Sequence, residues 1–228
     1  FDTLGSPIVS DFTNKPWTKC VSVIVDVDAV TGRAYITGPQ HFNGLGQIRY
    51  RGESTYGNRH FRVEMLDEYD LDEKVSLLDM PAESDWVLSS DQLDYTSMKK
   101  GLAYKWFQEM GHYAPRQRYV ELYLNTDGGA ISTADYKGLF ILRETIKRGD
   151  DRVDIARLDA SHNLEPKVSG GYIIKSDKPD TGDIILNRQA LWEPAYYNIG
   201  SGAGTGILAD PDSSVITGSQ INWIISYL

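Results

Sequence analysis

Alternation of apolar and polar residues dominates the first two thirds of this chain and predicts strands. Val21-Ser22-Val23-Ile24-Val25-Asp26-Val27 is rich in β-branched residues. Turn chemistry at Thr31-Gly32 then predicts a hairpin that returns through Ala34-Tyr35-Ile36-Thr37. Gln47-Ile48-Arg49-Tyr50-Arg51 and Phe61-Arg62-Val63-Glu64-Met65 alternate with period two, and Gly52 through Gly57 between them supplies a turn. Tyr119 to Leu124 and Gly138 to Leu142 predict a second antiparallel pair around Thr126-Asp127-Gly128-Gly129, and Gly171 to Lys175 predicts a last strand.

Helical spacing occurs in two places. From Asp94 to Gly111, Met98, Leu102, Trp106 and Met110 recur every four residues, which predicts a helix laying that face on the sheet. Asp94 or Thr96 can cap its start and Gly111 its end. From Ser219 to Leu228, Ile221, Ile224, Ile225 and Leu228 share one helical face. That helix shows no cap and ends on Tyr227-Leu228, so its packing partner is expected in sequence beyond Leu228. The resulting class is α+β, an antiparallel sheet with one main packed helix. Three segments are expected: residues 1–46 as a hairpin region, 47–177 as the core, and 178–228 as a glycine-containing loop followed by the terminal helix. Gly200 to Gly206 holds four glycines in seven residues and reads as a mobile loop rather than a phosphate cradle, because no Gly-Lys-Ser/Thr follows.

Composition narrows the function. With 41% hydrophobic and 24% charged residues the chain is ordinary for a globular protein. No apolar run approaches the roughly 20 residues of a membrane span. A net charge of -9 argues against nucleic acid as a partner. Cys20 is the single cysteine, so neither an internal disulfide nor a cysteine-based metal site can form. The four histidines lack metal-ligand spacing, no Gly-x-Ser-x-Gly elbow exists, and Asp26 with Asp28 lacks the glycine and glutamate of a calcium loop. The start at Phe1 fits a processed or excised product.

The remaining chemistry gathers on Arg51-Gly52-Glu53-Ser54-Thr55. Backbone N–H groups and hydroxyls on a turn between strands can meet phosphate oxygens, and a guanidinium can bind them bidentately. The same residues also suit a plain β-turn carrying a surface arginine.

Ordered blocks decide between these readings. They run Arg51-Gly52-Glu53-Ser54-Thr55, Leu77-Leu78-Asp79-Met80-Pro81, Ser84-Asp85-Trp86-Val87-Leu88, Tyr113-Ala114-Pro115-Arg116, Tyr119 to Asn125, Glu144-Thr145-Ile146-Lys147-Arg148, Arg152-Val153-Asp154-Ile155 and Gly170 to Lys175. In this order they resemble the CotH kinase family, the spore-coat and surface-protein kinases. The resemblance implies the N-lobe of an atypical protein-kinase-like fold and transfer of the ATP γ-phosphate to protein Ser or Thr hydroxyls with Mg²⁺ or Mn²⁺. It implies a nucleotide site at Arg51, Ser54, Arg59 and Glu144, with catalytic residues unassigned and no metal ligand identified here. A secreted or cell-surface location, such as a spore coat, and a protein substrate or surface partner follow from the same likeness.

Two positions depart from the family pattern: Arg59 stands where a lysine is usual, and Lys99-Lys100 where Arg-Asn is common. The family's later acidic motifs, ending in Trp-Asp-x-Asp, do not occur, and Asp154 and Asp177 are the only tempting substitutes. A C-terminal lobe outside this chain is therefore expected to complete the enzyme, and the chain alone to be inactive. The rival expectation is a secreted or surface-displayed binding or structural module that keeps the fold without catalysis.

Overall fold

The computed structural model describes residues 1–11, 13–52, 60–90, 94–177, 179, 181–186 and 205–228. These divide into two compact units, Phe1–Thr145 and Ile146–Leu228. The class is α+β as expected, and among the described residues there are two α-helices, the main and the terminal one that the spacing predicts.

The first unit is built on β1 (Thr18–Val25), β2 (Gln40–Arg51), β3 (His60–Leu66), β4 (Asp85–Ser89), β5 (Gln117–Tyr123) and β6 (Tyr136–Glu144), with helix α1 (Lys99–Glu109) between β4 and β5. They form one antiparallel sheet in the order β1-β2-β3-β4-β6-β5. The alternation that predicted β3 is seen directly, since Phe61, Val63 and Met65 are buried while His60, Arg62 and Glu64 are partly exposed. Register carries one apolar face across the sheet. Ile48 pairs with Val63, Val63 with Trp86 and Trp86 with Glu144, while Tyr50, Phe61, Leu88 and Leu142 form the next row. Phe61 packs its ring against Tyr50 at 5.1 Å and Phe140 at 6.1 Å. Each such buried side chain contributes about 1.5–3 kcal/mol.

Residues 1–3 stitch the two edges of this sheet together. Asp2 exchanges backbone hydrogen bonds with Val21 of β1, at 2.9 and 2.8 Å. Thr3 N–H donates to Asn125 C=O at 3.0 Å and Asn125 N–H to Phe1 C=O at 2.9 Å, just past β5. The sheet thus curls until both edges share one short segment, which removes much of the liability of open edges.

The partner of β1 differs from expectation. Ala34 to Thr37 is not a strand, and β1 pairs instead with the 12-residue β2 from Gln40 onward. Asp28 explains the postponed return: its carboxylate accepts the backbone N–H groups of Val30 and Thr31, at 3.0 and 2.7 Å, and locks a local turn.

The helical face of α1 also departs from expectation. The element starts at Lys99 rather than Asp94, because Ser97 sits at φ +53°, outside helical backbone. Gly101 is its buried residue, whereas Met98, Trp106 and Met110 are 53%, 59% and 70% exposed. What faces the sheet is the other side: Tyr104 accepts from Arg143 at 2.9 Å, and Gln108 Nε2 donates to Ala114 C=O at 2.6 Å. The N-cap position is Met98, which makes no side-chain cap bond, but the two residues expected at the ends still bind there. Asp94 Oδ2 accepts the Lys99 N–H at 2.8 Å, and Gly111, at φ +85°, donates to Gln108 C=O at 2.9 Å.

In the second unit, β7 (Ile173–Asp177) is not the last strand. It pairs antiparallel with β8 (Thr205–Asp210), so Gly206, assigned to the glycine loop, lies in a strand; Gly200 to Gly204 lie outside the described residues. Helix α2 (Gly218–Tyr227) is capped, contrary to expectation, by a Thr217–Gln220 box. Its partner surface is in its own unit. Ile224 joins Leu186 and Leu208 in a small core, with Tyr172 stacked on Trp223 at 5.7 Å.

Candidate functional site

Strand ends position the residues that the sequence singles out. Arg51 is the last residue of β2, opposite His60 of β3, and its side chain is exposed. Gly52 follows at φ +84°, a left-handed conformation that a residue with Cβ adopts only with strain. Ser54 and Arg59 lie outside the described residues.

Glu144 ends β6 and is buried, not solvated at a strand end. Its Oε2 accepts the Arg116 backbone N–H at 2.9 Å and its Oε1 accepts Arg116 Nη1 at 2.6 Å. The carboxylate has no exposed surface while the arginine side chain is 38% exposed, so Glu144 fixes both the backbone and the guanidinium of Arg116, part of whose side chain still meets solvent. Arg116 carried no assigned role in the sequence. Its signal was its place in Tyr113-Ala114-Pro115-Arg116, where Pro115 ends the turn after α1 and delivers the next residue to the start of β5.

Register places Arg51 and Glu144 apart. Arg51 lies in the row His60–Ser89–Ile141, and Glu144 is three residues further along β6 than Ile141. An odd offset puts the two side chains on opposite faces, three strand spacings or about 14 Å apart laterally and about 10 Å along the strands. Arg51 belongs to the outer face and Glu144 to the apolar one.

The outer face is rich in paired charge. Arg49 and Arg62 oppose each other across β2 and β3. Arg62 Nη2 donates to Asp85 Oδ1 at 2.8 Å, and Arg49 lies over the Trp17 ring at 4.1 Å while donating to Lys15 C=O at 3.1 Å. Burial first, and then the nearby Arg62, lower the pKa of Arg49. Burial raises the pKa of Glu64, a shift opposed by the Gln47 amide and reinforced by Asp85. These charges sit in a partly dry setting that strengthens each pairing.

Among the described residues no three His, Cys, Asp or Glu side chains gather into a group that could hold a metal ion. Asp154 and Asp177, the tempting substitutes, are exposed residues of the second unit. The described residues therefore do not fit Mg²⁺ or Mn²⁺ by themselves.

Comparisons with known proteins agree with the blocks read from the sequence. No curated protein gave a match. No solved structure gave one either. The model of the family described as CotH kinase protein matches residues 48–199, from the middle of β2 through β7 and beyond, well over half of the chain. The chain belongs to the CotH kinase protein family.

Proposed function

We propose that this chain forms the nucleotide-side part of a CotH-type protein kinase, which transfers the ATP γ-phosphate to protein Ser or Thr hydroxyls. One observation carries the reading: Arg51 and Gly52 end one of two hydrogen-bonded strands inside the family-matched region, with the guanidinium exposed and the backbone turned at φ +84°. On this reading Arg51 and Arg59 flank the phosphates and the Ser54 hydroxyl donates to them. Glu144 contributes by holding Arg116, since both of its oxygens already accept from that residue. ATP with Mg²⁺ or Mn²⁺ is the cofactor pair the family suggests, and a C-terminal lobe would supply the acidic ligands. A kinase-like N-lobe, a protein substrate and a secreted or surface-displayed setting belong to the same proposal.

A second reading is favoured by the lack of a carboxylate cluster among the described residues and by Arg59 in place of lysine. It is a binding module that keeps the fold without catalysis. Calorimetry of ATP with Mg²⁺ or Mn²⁺ separates the two. Binding is expected, weakened by about 1.5–3 kcal/mol in Arg51→Ala and retained in Arg59→Lys. The test is made on the fuller protein that includes the C-terminal lobe, and an absence of ATP binding by its unmutated form, with metal present, overturns the kinase reading and leaves the module. In a labelled-ATP assay with a Ser-rich acceptor, the 228 residues alone are expected to transfer no phosphate. Transfer would mean that the active site is complete within them.

A further inference from the structure

A cleft of about 410 Å³ opens between α1 and β5. Met98 and Leu102 of the helix side and Tyr119 of the strand give it apolar walls, while Lys105 and Arg118 bring two cations, no carboxylate lines it, and the third lining cation, Arg116, is already paired with the buried Glu144. In a chain of net charge -9, this is a local reversal of sign. Gly101 lets the helix lie close to the strand, since a Cβ there would come within 2.4 Å of the Tyr119 hydroxyl and 3.2 Å of Gln117 Nε2. The Gln117 side chain is thereby trapped in the wall. Its Oε1 is buried with no hydrogen-bond partner, an acceptor short of a donor.

The Arg116 charge is compensated by its ion pair with the buried Glu144, whereas Arg118 is steadied by its Nη1 donating to the Gln117 C=O at 3.0 Å. Lys105 pairs with Glu109 at 3.2 Å on the exposed helix surface, a contact of little worth that a better anion displaces. The apolar stripe of α1 through Met98, Trp106 and Met110 continues from the cleft into solvent. Beside it, β5 is the terminal strand of the sheet order, and among the described residues no strand pairs along its outer side.

We infer that the α1–β5 cleft docks an extended acidic segment of a protein partner. Charge complementarity decides the occupant. Asp or Glu side chains meet Arg118 and Lys105, and an apolar side chain between them rests on Met98 and Leu102. The volume suits one large side chain and its flanking groups rather than a folded surface. This site is separate from Arg51 and needs no phosphoryl transfer.

Fluorescence anisotropy of fluorescein-labelled Asp-Glu-Phe-Asp-Leu-Glu against the protein tests it. Saturable binding is expected, lost when lysines replace the acids and weakened by about 0.5 M salt. Arg118→Glu and Met98→Glu should each weaken it about tenfold or more, Arg118→Gln less, and Lys137→Glu, outside the cleft, not at all. Circular dichroism checks that each variant is folded. Failure of the peptide to bind, or equal binding by Arg118→Glu, overturns the proposal. So does equal displacement by inorganic phosphate, which makes this a small-anion site. Sedimentation showing a dimer that Met98→Glu abolishes overturns it as well, by assigning the face to a second copy.

Discussion

Helices α1 and α2 carry the same kind of four-residue apolar spacing, yet one leaves its stripe in water and the other buries a residue of it. In α2, Ile224 enters a core with Leu186 and Leu208, and the buried Gln220 fastens the helix start. Its Nε2 donates to Asp159 C=O at 2.7 Å and His162 C=O at 3.1 Å, and its Oε1 accepts the Thr217 N–H at 3.0 Å. In α1 the contacts that fix the helix are polar or small, namely Gly101, Tyr104 and Gln108, and they lie on the opposite side from the stripe. Spacing defines a face. The residues that can approach most closely, or that satisfy buried polar groups, decide which side turns inward.

The largest expected effect breaks the comparison from the α2 side. Ile224→Ala removes buried carbon from a small core and should destabilise the second unit by about 2–4 kcal/mol. Hydrogen–deuterium exchange of peptides from residues 205–228 reads this locally. Unchanged protection there would mean that α2 is held by its cap and rings alone. The matching change in the first unit, Leu102→Ala, should cost no more than about 1 kcal/mol, because Leu102 is only half-buried at the rim of the cleft. A loss of about 2–5 kcal/mol in thermal melts, as for a fully buried leucine, would mean that the stripe is covered in solution.

Much of this architecture was legible in the sequence where local pattern and partner were close together. The alternation of Ile48 and Tyr50 with Arg49 and Arg51, and of Phe61, Val63 and Met65 with Arg62 and Glu64, is clean, and the segments between β2 and β3 and between β5 and β6 carry glycine in the sequence. What escaped depended on distant partners. β4 is a short block, Asp85–Ser89, with four of its five residues buried, so it shows no alternation to read. β8 begins inside a glycine-rich run and exists as a strand because β7 lies beside it. The pairing of Glu144 with Arg116 spans 28 residues, and nothing in the local spacing of either residue announces it. Of the candidate site, Arg51 with Gly52 was readable because a turn after a strand is a local event. The face on which Glu144 lies became visible only with the register.

The smallest expected effect sharpens the comparison at the helix caps. The first turn of α1 hangs on a carboxylate. The Thr96 hydroxyl, donating to Asp94 Oδ1 at 2.7 Å, and then the Lys99 N–H lower the pKa of Asp94 to about 2, below its ordinary 3.8. A depressed folded-state value means that the ionised form favours the folded turn. Its stabilisation is complete above pH 3.8 and is lost as pH falls through about 2. The cap of α2 is made by Thr217 and Gln220, neither of which titrates, so its first turn should hold across the same window. Amide chemical shifts of Lys99 and Gln220 followed by NMR from pH 5 to pH 2 make the comparison. Lys99 is expected to move with a midpoint near 2 while Gln220 stays still. A Lys99 midpoint at the ordinary 3.8 would show that Asp94 does not hold the helix start, and α1 would then rest on Gly101 and its polar contacts alone.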